Sequence, residues 1–183
     1  MSNTWFTSDW HLGHANIITH CNRPFVNAHE MDKTILKNHN DLVEPGDVVY
    51  HHGDIFFKMG YDQASNLFSQ FNGLFHIIIG NHDKFSFLKR LKEDNLIKSY
   101  QDVLGVDING QYIWMSHYPH RSWNKAFHGS WHTFGHVHGR LDPYPSGRSV
   151  DVGVDSWDYK PVSFDDLSER MQINYDKSKI KVE

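Results

Sequence analysis

Five short apolar stretches of this chain each run straight into side chains able to bind a cation. TWFTS leads into Asp9-Trp10-His11, DVVYHH into Gly53-Asp54, and LFHIII into Gly80-Asn81-His82-Asp83. YIWMS ends at His117, and HTF at Gly135-His136-Val137-His138. The donors are imidazole nitrogens, carboxylate oxygens and one carboxamide, with no thiolate among them. That mixture suits a hard-to-borderline divalent metal, and the donors are numerous enough for two ions. Any single Asp-x-His or His-x-His is a weak signal, since most lone histidines are solvated or hydrogen-bonded. Five such groups at the ends of five strand-like segments in 183 residues are hard to explain as surface decoration.

Those ligands need strands to position them. Asn3 to Ser8 reads as the first strand. In an extended stretch residues i and i+2 point the same way, so Asp9 with His11, and His136 with His138, are expected to share a side. Gly53 lets the backbone turn tightly before Asp54, and Gly80 repeats the design. Asn27 to Val43 reads as a helix, capped by Asn27 with Glu30 completing a capping box, and Met31, Ile35, Leu36 and Leu42 form its apolar stripe. Glu44-Pro45-Gly46-Asp47 is a turn into a strand from Val48. Asp62 to Phe71 is helical, with Leu67, Phe68 and Phe71 on one face, and Asn72-Gly73 stops it. Leu74 to Ile79 is a continuous apolar strand, as inside a sheet covered on both faces. Phe85 to Asp94 is a short helix.

Beyond Tyr100 the pattern is mostly strands. Val103 to Ile108 and Gln111 to Ser116 flank Asn109-Gly110, a strong hairpin signal. Trp131 to Phe134 is another strand, and the alternating Val150, Val152 and Val154 mark one more. Phe164 to Met171 is a final helix capped by Ser163. Both halves are satisfied by an α/β (α+β) fold: a four-layer αββα sandwich in which two packed mixed β-sheets are flanked by helices.

Composition narrows the function. The length fits a single domain over 1–183, and 39% hydrophobic with 22% charged residues is a globular balance. A net charge of −4 argues against a nucleic-acid wrapper, although bound cations would alter the local field. Cys21 is the only cysteine, which excludes an internal disulfide and a thiolate zinc site and points to a reducing compartment. No signal peptide or membrane-length apolar run is evident, so a cytoplasmic location away from membranes is expected.

Taken in order, Asp-x-His, Gly-Asp, Gly-Asn-His-Asp, His and Gly-His-x-His resemble the calcineurin-like metallophosphoesterase superfamily, over residues 9 to 138. Gly13-His14-Ala15-Asn16-Ile17-Ile18 and Pro161-Val162-Ser163-Phe164 look like small bacterial or phage members. The resemblance implies one cation held by Asp9, His11, Asp54 and His138, and another by Asp54, Asn81, His117 and His136, with Asp54 shared. It implies that His82 faces substrate, and that Asp83 orients the His82 ring. Two ions bring a charge of about +4, half offset by Asp9 and Asp54, and would hold a bridging hydroxide in line with phosphorus. His82 would protonate the leaving oxygen or stabilise charge on an equatorial one; both roles stay open. Many superfamily members carry a polar residue shortly after Gly-Asp, where this chain has Ile55-Phe56-Phe57.

Four further residues are candidate substrate contacts. Arg23, before Pro24-Phe25, either meets a phosphate oxygen or pairs with a carboxylate. His14 follows the first ligand loop. His120 and Arg121 follow His117 after Tyr118-Pro119. Trp10, His51 and His52 read as packing residues, Trp123, Phe127 and Trp131 as core or an aromatic rim, and Asp155 as a hydrogen-bonding partner of a nearby loop. The resulting expectation is a two-metal phosphoesterase for small phosphomonoesters or phosphodiesters, with manganese first and iron, zinc, nickel or cobalt acceptable. The resembling family often dimerises. A nuclease and a non-catalytic scaffold are the alternatives.

Overall fold

The computed structural model describes residues 2–141 and 147–179. Among them are β1 (Thr4–Thr7), α1 (Ala15–His20), α2 (Ala28–Asn40), β2 (Val48–His51), α3 (Tyr61–Phe68), β3 (Leu74–Ile78) and α4 (Phe85–Glu93). There follow β4 (Ser99–Gln101), β5 (Val103–Ile108), β6 (Gln111–Ser116), β7 (Trp131–Phe134), β8 (Ser149–Asp151), β9 (Val162–Ser163) and α5 (Phe164–Lys179).

The strands form two mixed sheets, as expected of an α/β sandwich. The first has the order β4-β3-β2-β1-β9, with β1 to β4 parallel and β9 antiparallel to β1. The second runs β5-β6-β7-β8, an antiparallel hairpin extended by two parallel strands. Strand alternation sorts side chains into two cores. Trp5, Val49, Phe75 and Ile77 pack under the helices against Met31, Ile35, Ala64, Phe68, Leu88 and Leu91. Phe6 and Ile78 point the other way, against Ile113, Met115, Val150 and Val152, and α5 adds Leu167 and Met171 there. The hairpin turns at Asn109 and Gly110, with φ of 51° and 82°, the doubly left-handed turn that matches strand twist.

Several boundaries differ from the sequence expectation. Asn27 caps α2 by accepting from the Glu30 amide at 3.0 Å, but the Glu30 carboxylate reaches back to the Val26 amide rather than to Asn27. α2 stops at Asn40, so Leu42 falls outside the stripe and is exposed, while His39 is buried. α3 ends at Phe68. The Val150–Val154 alternation is broken at Gly153: Val150 and Val152 join the core between the sheets, whereas Val154 joins the helix-side core. β4 and β9 have three and two residues, too few for a period to register. α1 is six residues long and carries no side-chain cap, so the usual start signal of a helix is missing. Ser163 does cap α5, accepting from the Asp166 amide at 3.0 Å, and the helix runs past Met171 to Lys179. Among the described residues no helix is long and apolar enough to cross a membrane.

Candidate metal centre

The C-terminal ends of β1, β2, β3, β6 and β7 open onto one edge of the sandwich, and the ligand-bearing loops meet there. The Asp9 amide donates to the Gly53 carbonyl at 3.0 Å, and His11 to Asp54 at 2.9 Å, which ties the first two loops together. The His136 amide donates to Asp9 Oδ2 at 2.9 Å, linking the second sheet to the first. Gly53, with φ 92°, and Gly80 touch: a Cβ on Gly53 would lie 2.4 Å from Gly80 N, and one on Gly80 would lie 2.3 Å from Asp54 Oδ1. Only residues without a side chain allow these two loops to close on each other.

Two groups of donors result, Asp9 with His11 and His138, and Asp54 with His117 and His136. They share an edge at Asp54, whose Oδ2 lies 3.6 Å from His11 Nε2 and 3.5 Å from His117 Nε2. Its Oδ1 is occupied by the His82 amide at 2.8 Å. Asn81 Oδ1 lies 2.9 Å from His117 Nε2. His117 Nδ1 faces the His52 carbonyl at 2.7 Å and must carry the proton there, leaving a lone pair on Nε2. That lone pair is aimed at the oxygens of Asn81 and Asp54, a repulsive arrangement that a cation between them would relieve.

The side chains do not converge by strand alternation, as the sequence suggested. Asp9, His11, Asp54, His136 and His138 all have left-handed backbone, with φ between 50° and 71°. Each such residue costs on the order of 1–3 kcal/mol, and a concentration of them marks a place where the surrounding structure enforces a geometry.

Electrostatics agree with a cation-binding role. Asp9 and His11 are 0% and 1% exposed, and Asp9 Oδ1 and both His11 ring nitrogens have no hydrogen-bond partner. Burial, then the nearby Asp151 and Asp54, pushes the Asp9 carboxyl well above its usual range. Burial, then His138, lowers His11 to about 2, so its ring is neutral. Burial also lowers His117 and His136 and raises Asp54. Neutral imidazoles and a carboxylate lacking a counter-charge are what a divalent ion satisfies, and the donor set fits one.

Several expected roles need correction. Asp83 does not orient His82: its carboxylate accepts from the amides of Gly80, Asp54 and Ile55 at 2.9, 2.9 and 3.0 Å, bracing the loops. Arg23 cannot contact substrate. It is buried, and its guanidinium donates to both Asp155 oxygens, to the Asp9 and Trp10 carbonyls and to the Met31 sulfur. Asp155 in turn accepts from His138 Nδ1 at 2.7 Å, so it does hydrogen-bond a neighbouring loop as its sequence reading expects, and the loop is the one that carries a ligand. Burial would raise Asp155, but its bonds to His138 and Arg23 outweigh that and hold it below the usual range. Cys21 also comes within reach of His138 and Asp155, but Arg23 already occupies that carboxylate.

His120 packs edge-on against Trp114 at 4.7 Å and near His132, on the face of the second sheet turned away from the first, so it is removed from the ligands. Arg121 is exposed on the same loop. His14 does stand beside the centre, 5.5 Å from the His11 ring and stacked on Phe57 at 3.5 Å. The His82 ring is exposed, 5.3 Å from His11 and 5.4 Å from Phe57. Trp10, stacked on Phe71, and His52, bonded to Thr133 across the sheets, are packing residues.

No family model matches the chain. It is 38% identical over 171 residues to the uncharacterized protein MJ1445 of Methanocaldococcus jannaschii, covering 90% of this chain and 89% of that one. The chain belongs to the same family as MJ1445. The gene 66 proteins of Mycobacterium phages L5 and D29 are 29% and 28% identical, each over 86% of this chain and over 88% and 90% of their own lengths. The fold is shared with AQ665 of Aquifex aeolicus, a protein of unknown function, at a TM-score of 0.74 and 22% identity over 92% of this chain and 99% of that one. It is also shared with a protein described as a novel archaeal phosphodiesterase, at a TM-score of 0.51 and 19% identity over 82% of each chain.

Proposed function

We propose that this protein is a metal-dependent phosphoric ester hydrolase of the calcineurin-like kind, acting on small phosphomonoesters or phosphodiesters. The observation that carries the reading is one oxygen, Asp54 Oδ2, lying 3.6 and 3.5 Å from imidazole nitrogens of two separate donor clusters. Asp9, His11, Asp54 and His138 would hold one divalent ion, and Asp54, Asn81, His117 and His136 the other. Manganese is our first assignment, and iron, zinc, nickel or cobalt suit the same donors. Bound there, such ions supply charge for the phosphoryl oxygens and acidify water. The fold shared with an archaeal phosphodiesterase supports the reaction class.

The chain's own groups then divide the remaining work. The His82 amide is fixed on Asp54 Oδ1, so its exposed ring is held at the mouth of the centre. From there the imidazole can give a proton to the leaving oxygen or donate a hydrogen bond to the phosphoryl group. Phe57, stacked with His14, forms an apolar wall on the side of His11. Tyr118, 47% exposed, stands against His117 and His136 at 5.0 and 4.5 Å and borders the opposite side. A net charge of −4 favours a small phosphorylated substrate over a polymer, whose binding draws on a basic surface.

The test is hydrolysis of a panel of aryl phosphate monoesters, linear diesters and cyclic diesters by protein loaded with manganese. Turnover that chelator abolishes and manganese restores is expected. A loaded protein that leaves the whole panel intact would remove the assignment.

A further inference from the structure

We propose that Arg23 and Asp155 are positioning residues for the Asp9–His11–His138 cluster, and that they build that cation site selectively. This rests on reading the cluster as a cation site.

The pair joins segments 132 residues apart. Arg23 Nε donates to Asp155 Oδ1 at 2.8 Å and Nη2 to Oδ2 at 2.7 Å, the bidentate geometry a planar guanidinium favours. The remaining donors reach the backbone of the ligand loop. Nη2 meets the Asp9 carbonyl at 2.8 Å and Nη1 the Trp10 carbonyl at 3.0 Å. Asp9 is itself a strained residue, with φ 58°, and Arg23 fixes the peptide plane that follows it. Asp155 Oδ2 also accepts from His138 Nδ1 at 2.7 Å, which places the proton on Nδ1, leaves Nε2 as the ligand atom and sets the ring direction. One buried ion pair thus governs two ligands from loops on different sheets. Among the described residues, neither side chain bonds Asn81, His117 or His136 directly, and the pair reaches the second cluster only at one remove, through the Asp9 Oδ2 that accepts from the His136 amide.

A merely structural ion pair would lower stability without distinguishing the two sites. Asp47 supplies the comparison: it is also buried, and bonds the Asn3 and Glu44 amides and Trp5 Nε1 away from the ligands.

Metal-stripped protein is titrated calorimetrically with manganese, giving the number of equivalents and the affinity of each, with melting temperature measured alongside. The unaltered protein should take two equivalents. In Asp155→Asn and Arg23→Lys one equivalent should weaken by about 10- to 100-fold, the range for an outer partner of a metal-bound imidazole, and the other should weaken distinctly less. Asp47→Asn should melt lower with both affinities intact. Unchanged affinities in Asp155→Asn and Arg23→Lys, or equal weakening of both sites, would overturn the inference. So would failure of both variants to fold with or without manganese, since the pair would then be structural. Unaltered protein that takes up no manganese would instead overturn the assignment of the centre itself, so the two failures are distinct.

Discussion

Removing bound cation should destabilise this protein, and the amount can be worked from the centre. Asp9 Oδ1 and both His11 ring nitrogens are buried without a hydrogen-bond partner, and each such group costs about 1–3 kcal/mol when left unsatisfied. A cation that binds only the folded chain adds about 2.7 kcal/mol per site when present at roughly 100 times its Kd. Two sites therefore give about 5 kcal/mol. For a chain of 183 residues, a shift of about 2–4 °C per kcal/mol converts this to a gain of roughly 10–20 °C in melting temperature. The assay is thermal unfolding followed by calorimetry, in chelator and across a manganese series. Variants partition the gain. Asp54→Asn removes the charge from the oxygen that both clusters share and should abolish most of the gain. His117→Ala touches one cluster and should abolish about half. An identical melting temperature across the manganese series, or a full gain in Asp54→Asn, would refute the reasoning.

Two further outcomes are expected. His82→Ala should retain both cations by elemental analysis while turnover falls by roughly 10²- to 10⁴-fold, the range for a general acid; loss of metal would mean that His82 is a ligand. Stability should fall between pH 7 and 5, because burial lowers His39 and His132 to about 4 from an ordinary 6.5, against the opposing hydrogen bonds to the Asn72 and Trp114 carbonyls. The unfolded chain then binds protons that the folded one does not, so stability is lost as pH falls through 6.5 towards 4, by about 2 kcal/mol per residue at pH 5. Urea melts at the two pH values check this, and equal midpoints and slopes would contradict it.

The sequence by itself determined the order of strands and helices, the hairpin turn and the types of donor placed at strand ends. Each is a local property. Apolar periodicity, a turn dipeptide and a short motif are written in adjacent residues, and Asn109-Gly110 and Ser163 act as read. The sequence also identified the residues that now lie together, Asp9, His11, Asp54, Asn81, His117, His136 and His138, but for the wrong geometric reason. An extended backbone is the sequence expectation where left-handed kinks occur: Asp and His accept that conformation more readily than most residues, but only the loops packing on one another make them adopt it. The tertiary structure alone decided what surrounds the ligands. The family resemblance pairs Asp83 with its neighbour His82, yet its carboxylate closes on amides from another loop. Of the two readings open to Arg23, phosphate contact or a carboxylate partner, the structure decides for the carboxylate: its guanidinium is taken up by Asp155 and two backbone carbonyls. Chain proximity to His117 puts His120 near the site, but it lies on the other face of the second sheet. A hydrogen bond across 132 residues leaves no trace in any window of sequence, since which charge meets which is fixed only when the two sheets dock.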